Sequence, residues 1–242
     1  MSYLPAKVLV LHVKTGFEDR EQHICQMLEA MNINFEFLLD GDMEDLCSEV
    51  LDRYFTGKMK QVAPAVSCAM KHLLAYEQIV EQQLPGALVL EDDMVLYKSF
   101  HKVFDECMNE MTYNDIDDAL ISFEDSTLCF VPGSQRQRNR HLYLAPKDRF
   151  TGCYYITFRT AKRILDYVSI NKCDTAIDLF HKALIARIGL PYYWCHPCIA
   201  TQGTHTGLFP SSISAKSAKK QRYRAYTWHI KLAYKKILYL LR

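Results

Sequence analysis

The stretch LPGALVLEDDMVLYKSF, residues 84–100, decides the reading. Ala87 to Leu90 form a short apolar run of the kind that fills a buried strand. Three carboxylates follow without a gap, Glu91, Asp92 and Asp93, and the chain then turns apolar again. Adjacent carboxylates repel, and an unpaired buried charge is costly. Such a cluster is tolerated where a divalent cation neutralises it, and hard oxygen donors suit Mg²⁺ or Mn²⁺. Ions of that kind keep open positions that a diphosphate can fill. The bland reading is a solvated acidic turn, and the apolar residues on both sides count against it.

Working outward, Ala65 to Gln83 places Val66, Ala69, Leu73, Tyr76 and Val80 on one stripe with no Gly or Pro inside, which predicts a helix closed by Leu84-Pro85-Gly86. On the other side Ser99 is the expected N-cap of a helix carrying Phe100, Val103, Phe104, Cys107 and Met111. Further strands are predicted at 7–13, 35–39, 119–123 and 152–157. Further helices are predicted at 20–31, 159–168 and 174–188, the last closed by Gly189 and Pro191. Strands alternating with helices argue for an α/β fold with a mostly parallel central sheet flanked by helices. Ligands of such sheets bind at the carboxyl ends of the strands, where the acidic triplet sits.

The 242 residues are enough for one large domain, and 49% hydrophobic with 24% charged residues is an ordinary globular balance. The opening MSYLPAKVLVLHV reads as a first strand and lacks the pattern of a secretory signal, and no apolar run reaches membrane-spanning length. Nine cysteines, odd in number and scattered, are expected to be reduced core thiols; the lone CxxC of Cys195 to Cys198 has no second ligand pair in the sequence beside it. A cytoplasmic location is therefore expected.

The net charge of +1 hides an asymmetry. All 28 acidic residues lie in the first 178 residues, which carry 18 Lys and Arg and a net −10. The last 64 carry eleven Lys and Arg, no Asp or Glu, and a net +11.

Residues 67–96, SCAMKHLLAYEQIVEQQLPGALVLEDDMVL, resemble glycosyltransferase family 25, the lipooligosaccharide-biosynthesis galactosyltransferases and their collagen-modifying relatives. The family shows a Cys-Ala-x-x-His helix leading into a strand that ends in Glu-Asp-Asp. Cys68, Ala69, His72, Glu91, Asp92 and Asp93 occupy those positions. LHVKTGFEDR is similar to the family's opening strand–loop–Arg segment, with His12 where Asn is usual, then Val13 and Arg20. GCYYIT (152–157), Asp178 in TAIDLF (with Ala176 in place of a proline), HPCIATQG and FPSSIS resemble its later elements, so the likeness runs from about residue 5 to 214.

The resemblance implies a GT-A type nucleotide-sugar-binding fold over residues 1–213 and a metal-dependent, inverting transfer of a sugar, often galactose from UDP-galactose, onto a glycan hydroxyl. It implies Mn²⁺ or Mg²⁺; Asp93, which ends the motif, is the first expected ligand, with Glu91 and His205 as further ones, and His205 is alternatively an exposed loop histidine. Glu91 and Asp92 are alternatively contacts to the ribose or shapers of the loop. Donor contacts are expected from His12, Val13, Arg20, Cys68 and His72. His72 is equally readable as a satisfied core histidine, and Arg20 as the partner of a carboxylate. The general base is Asp178 or Glu124. A hydrolase using the same carboxylates and a non-catalytic sugar-nucleotide-binding relative are the competing classes.

Residues 214–242 form the second expected unit. They carry nine Lys or Arg and no acid, with Tyr223, Tyr226, Ile230, Ile237, Leu238 and Leu241 near one helical stripe. A basic helix of this kind suits an anionic membrane surface, which places the enzyme peripherally on the cytoplasmic face of the inner membrane beside a lipid-linked saccharide acceptor. The alternative is a terminal helix docked on the acidic body. Nucleic acid is not an expected partner, because the basic residues are confined to one end.

Overall fold

The computed structural model describes residues 7–145, 147–210 and 218–242. In chain order the elements are β1 (Val8–Leu11), α1 (Glu18–Ala30), β2 (Glu36–Leu38), α2 (Ser48–Tyr54), α3 (Pro64–Glu81), β3 (Gly86–Glu91), β4 (Met94–Leu96), α4 (Phe100–Tyr113) and β5 (Leu120–Ser122). They continue with β6 (Leu142–Leu144), β7 (Cys153–Thr157), α5 (Phe158–Asn171), α6 (Ile177–Ile188), β8 (Tyr192–Cys195), β9 (Ala200–Gln202), α7 (Gly203–Thr206) and α8 (Ala218–Leu240).

Seven strands form the central sheet in the order β2-β1-β3-β7-β5-β8-β6. β2, β1, β3, β5 and β8 run one way, and β7 and β6 run against them. The architecture is the expected α/β fold, with a mostly parallel central sheet flanked by helices. The strand predicted at 152–157 enters it antiparallel, between β3 and β5.

Strand periodicity builds the two cores. On β1 and β3, Leu9, Leu11, Ala87 and Val89 face one way, where Val66 and Leu73 of α3, Ile164 of α5 and Phe180 of α6 cover them. Val8, Val10, Leu88 and Leu90 face the other way, under Ile24 and Leu28 of α1 and Phe100 and Phe104 of α4. Both faces are buried, so these strands read as continuous apolar runs rather than alternating ones.

Several elements were not visible in the sequence: α2, β6, β8 and the two-stranded ribbon of β4 with β9. The three-residue strands among them are too short to carry a period. The last predicted helix begins three residues later than expected, at Ile177. Ser99 sits at the N-cap of α4 but makes no side-chain capping bond. All nine cysteines are free, as expected.

The Ser214 boundary between the two expected units, and residues 211–214 of the FPSSIS element, lie outside the described residues. α8 packs on the body along one face. Trp228 is buried with its ring 5.0 Å from that of His205, Tyr239 stands edge-on to Phe130, and Lys236 Nζ lies 3.8 Å from the Asp125 carboxylate. Tyr223, Tyr226, Ile230, Tyr234, Ile237 and Leu241 stay exposed. At 100° per residue these six lie on the side opposite Trp228 and Tyr239. The helix is thus docked and still presents an apolar stripe. Among the described residues no helix is long and apolar enough to cross a membrane.

Gly86 starts β3 at a close crossing of strands. A Cβ built there meets the carbonyl oxygen of Ile156 on β7 at 2.6 Å. Gly86→Ala is expected to lower the unfolding free energy by about 1–3 kcal/mol through overpacking, read as an earlier midpoint in a urea melt.

Candidate active site

The register of β1 against β3 assembles the site. The strands are parallel with Leu11 opposite Glu91, so His12 and Asp92 leave the sheet side by side at its carboxyl edge. His12 Nδ1 lies 2.8 Å from Asp92 Oδ2, and Arg20 Nη1 donates to Asp92 Oδ1 at 2.9 Å. Arg20 also donates through Nη2 to the Pro210 carbonyl at 2.7 Å and stacks on Phe17, 4.8 Å from the ring centroid. Asp92 is therefore a structural anchor, and Arg20 takes the carboxylate-pairing role of its two expected ones.

Glu91 and Asp93 point to different neighbours. β7 ends beside β3, so Thr151 Oγ1 donates to Glu91 Oε1 at 3.1 Å, and the Glu91 amide donates to the Gly152 carbonyl at 2.8 Å. Pairing of Met94 with Gln202 in the β4–β9 ribbon carries α7 back over the triplet. The Gly203 amide then donates to the Asp93 carbonyl at 2.7 Å, and the Thr204 side chain favours the Asp93 carboxylate. The ribbon thus brings the helix that carries His205 to Asp93, across 112 positions of sequence.

Burial raises the proton affinity of these carboxyls. It pushes Glu91 and Asp93 well above the ordinary carboxylate range, and their neighbouring negative charges push them further. Burial likewise lifts Glu124 from its ordinary 4.5 to about 8. Glu124 is fully enclosed, with Oε1 accepting from the Gly152 amide at 2.7 Å. Asp93 Oδ1 and Glu124 Oε2 are buried and make no hydrogen bond. Such groups at one sheet edge fit a divalent cation in charge and donor type.

A cleft of about 370 Å³ opens beside the triplet. His12, Val13, Arg20, Cys68, Glu91 and Asp92, all expected donor contacts, line it. His72 does not. It is fully buried, and burial pushes it down to about 3, as it does His181. His72 thus sits in the core, the alternative to a direct contact. Asp178 lies in the first turn of α6, half-buried, and its charge reaches Cys68, His72 and Glu91. Both candidate bases therefore border the same acidic region, but Glu124 is sealed from solvent and Asp178 is not.

The sequence reading missed Phe17, Asp42 and Lys71, which also line the cleft. Lys71 Nζ pairs with Asp42 Oδ1 at 2.9 Å, and the Lys14 amide donates to Asp42 Oδ2 at 2.8 Å. The Asp40-Gly41-Asp42 turn was legible only as the end of a strand, and the position of that strand beside β1 is what turns Asp42 into the site. Phe17 adopts φ 62°, a left-handed conformation unusual for an aromatic residue, and is 42% exposed at the mouth.

The sheet edge thus sets a buried acidic cluster beside an open cleft. The sequence model of glycosyltransferase family 25, described as an LPS biosynthesis protein family, matches residues 8–181. The chain belongs to glycosyltransferase family 25. It is 25% identical over 173 residues to a Haemophilus influenzae protein whose glycosyltransferase name is itself provisional; the match covers 68% of this chain and 58% of that relative's length. It is 23% identical over 222 residues to the lacto-N-neotetraose biosynthesis glycosyltransferase LgtE of Neisseria meningitidis serogroup B, covering 85% of this chain and 78% of LgtE. Among solved structures, a glycosyltransferase involved in glycosylation of the major capsid of PBCV-1 aligns with a TM-score of 0.46 at 9% identity, over 93% of this chain and 98% of that one.

The raised Glu124 gives a signed pH effect. Between about pH 4.5 and pH 8 the folded chain retains a proton that the unfolded chain has lost, so stability falls as pH rises through that window. In cation-free buffer the slope from this group approaches about 1.4 kcal/mol per pH unit. Glu124→Gln is expected to flatten the fall, read as a smaller decrease in Tm between roughly pH 5 and roughly pH 8.

Proposed function

We propose that this protein is a metal-dependent glycosyltransferase that moves a sugar, galactose from UDP-galactose in the first instance, with inversion onto a glycan hydroxyl. The carrying observation is the buried, unpartnered Asp93 oxygen at the carboxyl end of β3, beside a cleft lined by Glu91 and Asp92. Membership of the family supports glycosyl transfer, and the name of LgtE supports a lipooligosaccharide-like acceptor.

Asp93 and Glu91, with His205 from α7, are the residues that would hold Mn²⁺ or Mg²⁺. When bound, that ion supplies positive charge against the donor diphosphate and the leaving nucleotide. His12 and Arg20 keep Asp92 in place, which fixes the turn that presents Asp93. Phe17 offers an aromatic face to the nucleobase at the cleft mouth. Asp178, the carboxylate open to solvent, takes the proton from the acceptor hydroxyl as it attacks the anomeric carbon. Glu124 remains protonated and buried, holding the Gly152 turn through its amide.

The proposed transferase domain spans residues 1–213, and residues 214–242 are the proposed membrane contact. The exposed stripe of α8 meets the interface of an anionic leaflet, and the basic residues of the tail supply the attraction, each on the order of 1 kcal/mol. The location is then peripheral, on the cytoplasmic face of the inner membrane, where a lipid-linked acceptor is within reach.

A screen of UDP-, GDP- and CMP-sugars with Mn²⁺, read as nucleotide release, tests the reading and is expected to select a UDP-sugar. Asp93→Asn should reduce turnover by orders of magnitude with the fold intact; near-normal turnover would remove Asp93 from the metal site. Asp178→Asn should lower kcat by roughly 10²–10⁴-fold with little change in UDP affinity. A mild effect there, with a large one in Glu124→Gln, moves the base to Glu124. The exposed-stripe variant Tyr226→Glu/Ile230→Glu/Ile237→Glu should lose binding to anionic vesicles while keeping turnover on a short soluble acceptor. Unchanged vesicle binding would show that the stripe is not the contact.

A further inference from the structure

We propose that Cys68, His72 and Glu91 form a site for a thiophilic divalent cation of the zinc class, which shares Glu91 with the oxygen ligands proposed around Asp93 and adds a sulfur and an imidazole donor. Cys68 and His72 are four residues apart on α3 and so share a face of that helix. β3 delivers Glu91 to the same face. One donor atom from each of the three lies within 4.8 Å of the others, and His72 Nε2 is 3.4 Å from Glu91 Oε1. Tetrahedral zinc, with bonds of about 2.0–2.3 Å, holds its ligands about 3.3–3.7 Å apart, so closing the set takes a shift of about an ångström. Cys68 and Glu91 both border the cleft, which leaves an entry path and room for a fourth ligand.

A second observation points to a ligand here. His72 is fully buried, and its Nε2 makes no hydrogen bond. The other ring nitrogen is fixed by a chain of buried groups. His72 Nδ1 lies 2.7 Å from Tyr154 Oη, Tyr154 Oη lies 2.9 Å from Tyr76 Oη, and Tyr76 Oη lies 2.7 Å from His181 Nε2. Each member has one proton to give, so the chain runs in one direction throughout. In the direction a bound cation would select, His72 Nδ1 donates to Tyr154, Tyr154 to Tyr76 and Tyr76 to His181, and His72 Nε2 keeps its lone pair toward Cys68 and Glu91. Metal-binding histidines are oriented by an outer hydrogen bond of this kind. Thr151 Oγ1, donating to Glu91 Oε1, plays the same part for the carboxylate.

The charges also match. On binding, the Cys68 thiol releases its proton to water, and one thiolate with one carboxylate neutralises the dication. Sulfur and imidazole donors select zinc-class ions over Mg²⁺ and Mn²⁺, which favour oxygen.

The test uses the full-length protein, stripped of metal and titrated with Co²⁺ as a spectroscopic stand-in for Zn²⁺. The expected result is tight binding with a thiolate-to-cobalt charge-transfer band, displaced by Zn²⁺. Cys68→Ser should abolish the band, and Cys47→Ser, which changes the exposed cysteine, should leave it intact. Removing a direct ligand should weaken Zn²⁺ binding by more than the roughly 10–100-fold typical of an outer-shell change. Should Cys68→Ser fail to fold by circular dichroism, Glu91→Gln provides the same comparison of affinity. No charge-transfer band in the wild type, or a band that survives Cys68→Ser, overturns the proposal. Asp93→Asn should keep the band, so failure of this site and failure of the oxygen-ligand site are told apart.

Discussion

Asp92 held between His12 and Arg20 is the interaction on which the site depends. Two hydrogen bonds tie the end of β3 to the end of β1 and to α1, and the second guanidinium nitrogen reaches the chain at Pro210. One of three adjacent carboxylates is thereby neutralised inside the protein. The other two keep their charge problem, and burial makes it worse. The fold pairs one acid and leaves its neighbours short of positive charge, which is the ground for the cation proposed there. Replacing the clamp would free the turn and blur the position of Asp93, although Asp93 itself touches neither His12 nor Arg20 in the bonds described.

The sheet can carry that strain because its two faces are filled. The alternate residues of β1 and β3 bury completely into separate clusters, so the strand ends cannot move apart without opening both. Stability comes from the apolar layers, and function sits at the edge where the layers stop. The antiparallel β7 contributes to the second role by bringing Thr151 and Gly152 against Glu91 and Glu124.

α8 connects the two ends of the chain's charge asymmetry. Its buried side meets His205 and the Asp125 carboxylate, close to the elements that carry the acidic cluster. The opposite side keeps its aromatic and aliphatic residues in solvent. A helix docked by one face and apolar on the other has a second surface to satisfy.

Much of this was legible in the sequence, and for identifiable reasons. Val66 to Val80 carry a 3.6-residue period over a long span, and Ala87 to Leu90 precede three acids, so α3, β3 and the acidic edge were readable from local pattern. The order of Cys68, His72 and the triplet carried the family. Tertiary structure alone decided which acid is paired and which is buried with an unpartnered oxygen. Asp92 and Asp93 are neighbours with the same side chain, and only the Leu11–Glu91 register tells them apart. His72 and Arg20 each had two readings; packing places His72 against Tyr154 in the core, and Arg20 pairs with Asp92 while also lining the cleft. Asp42 and Phe17 looked like turn residues because nothing local records that their turns meet across the sheet edge. Periodicity reports what one segment buries; a site is made where distant segments converge, and that depends on strand order and register, which no single segment contains.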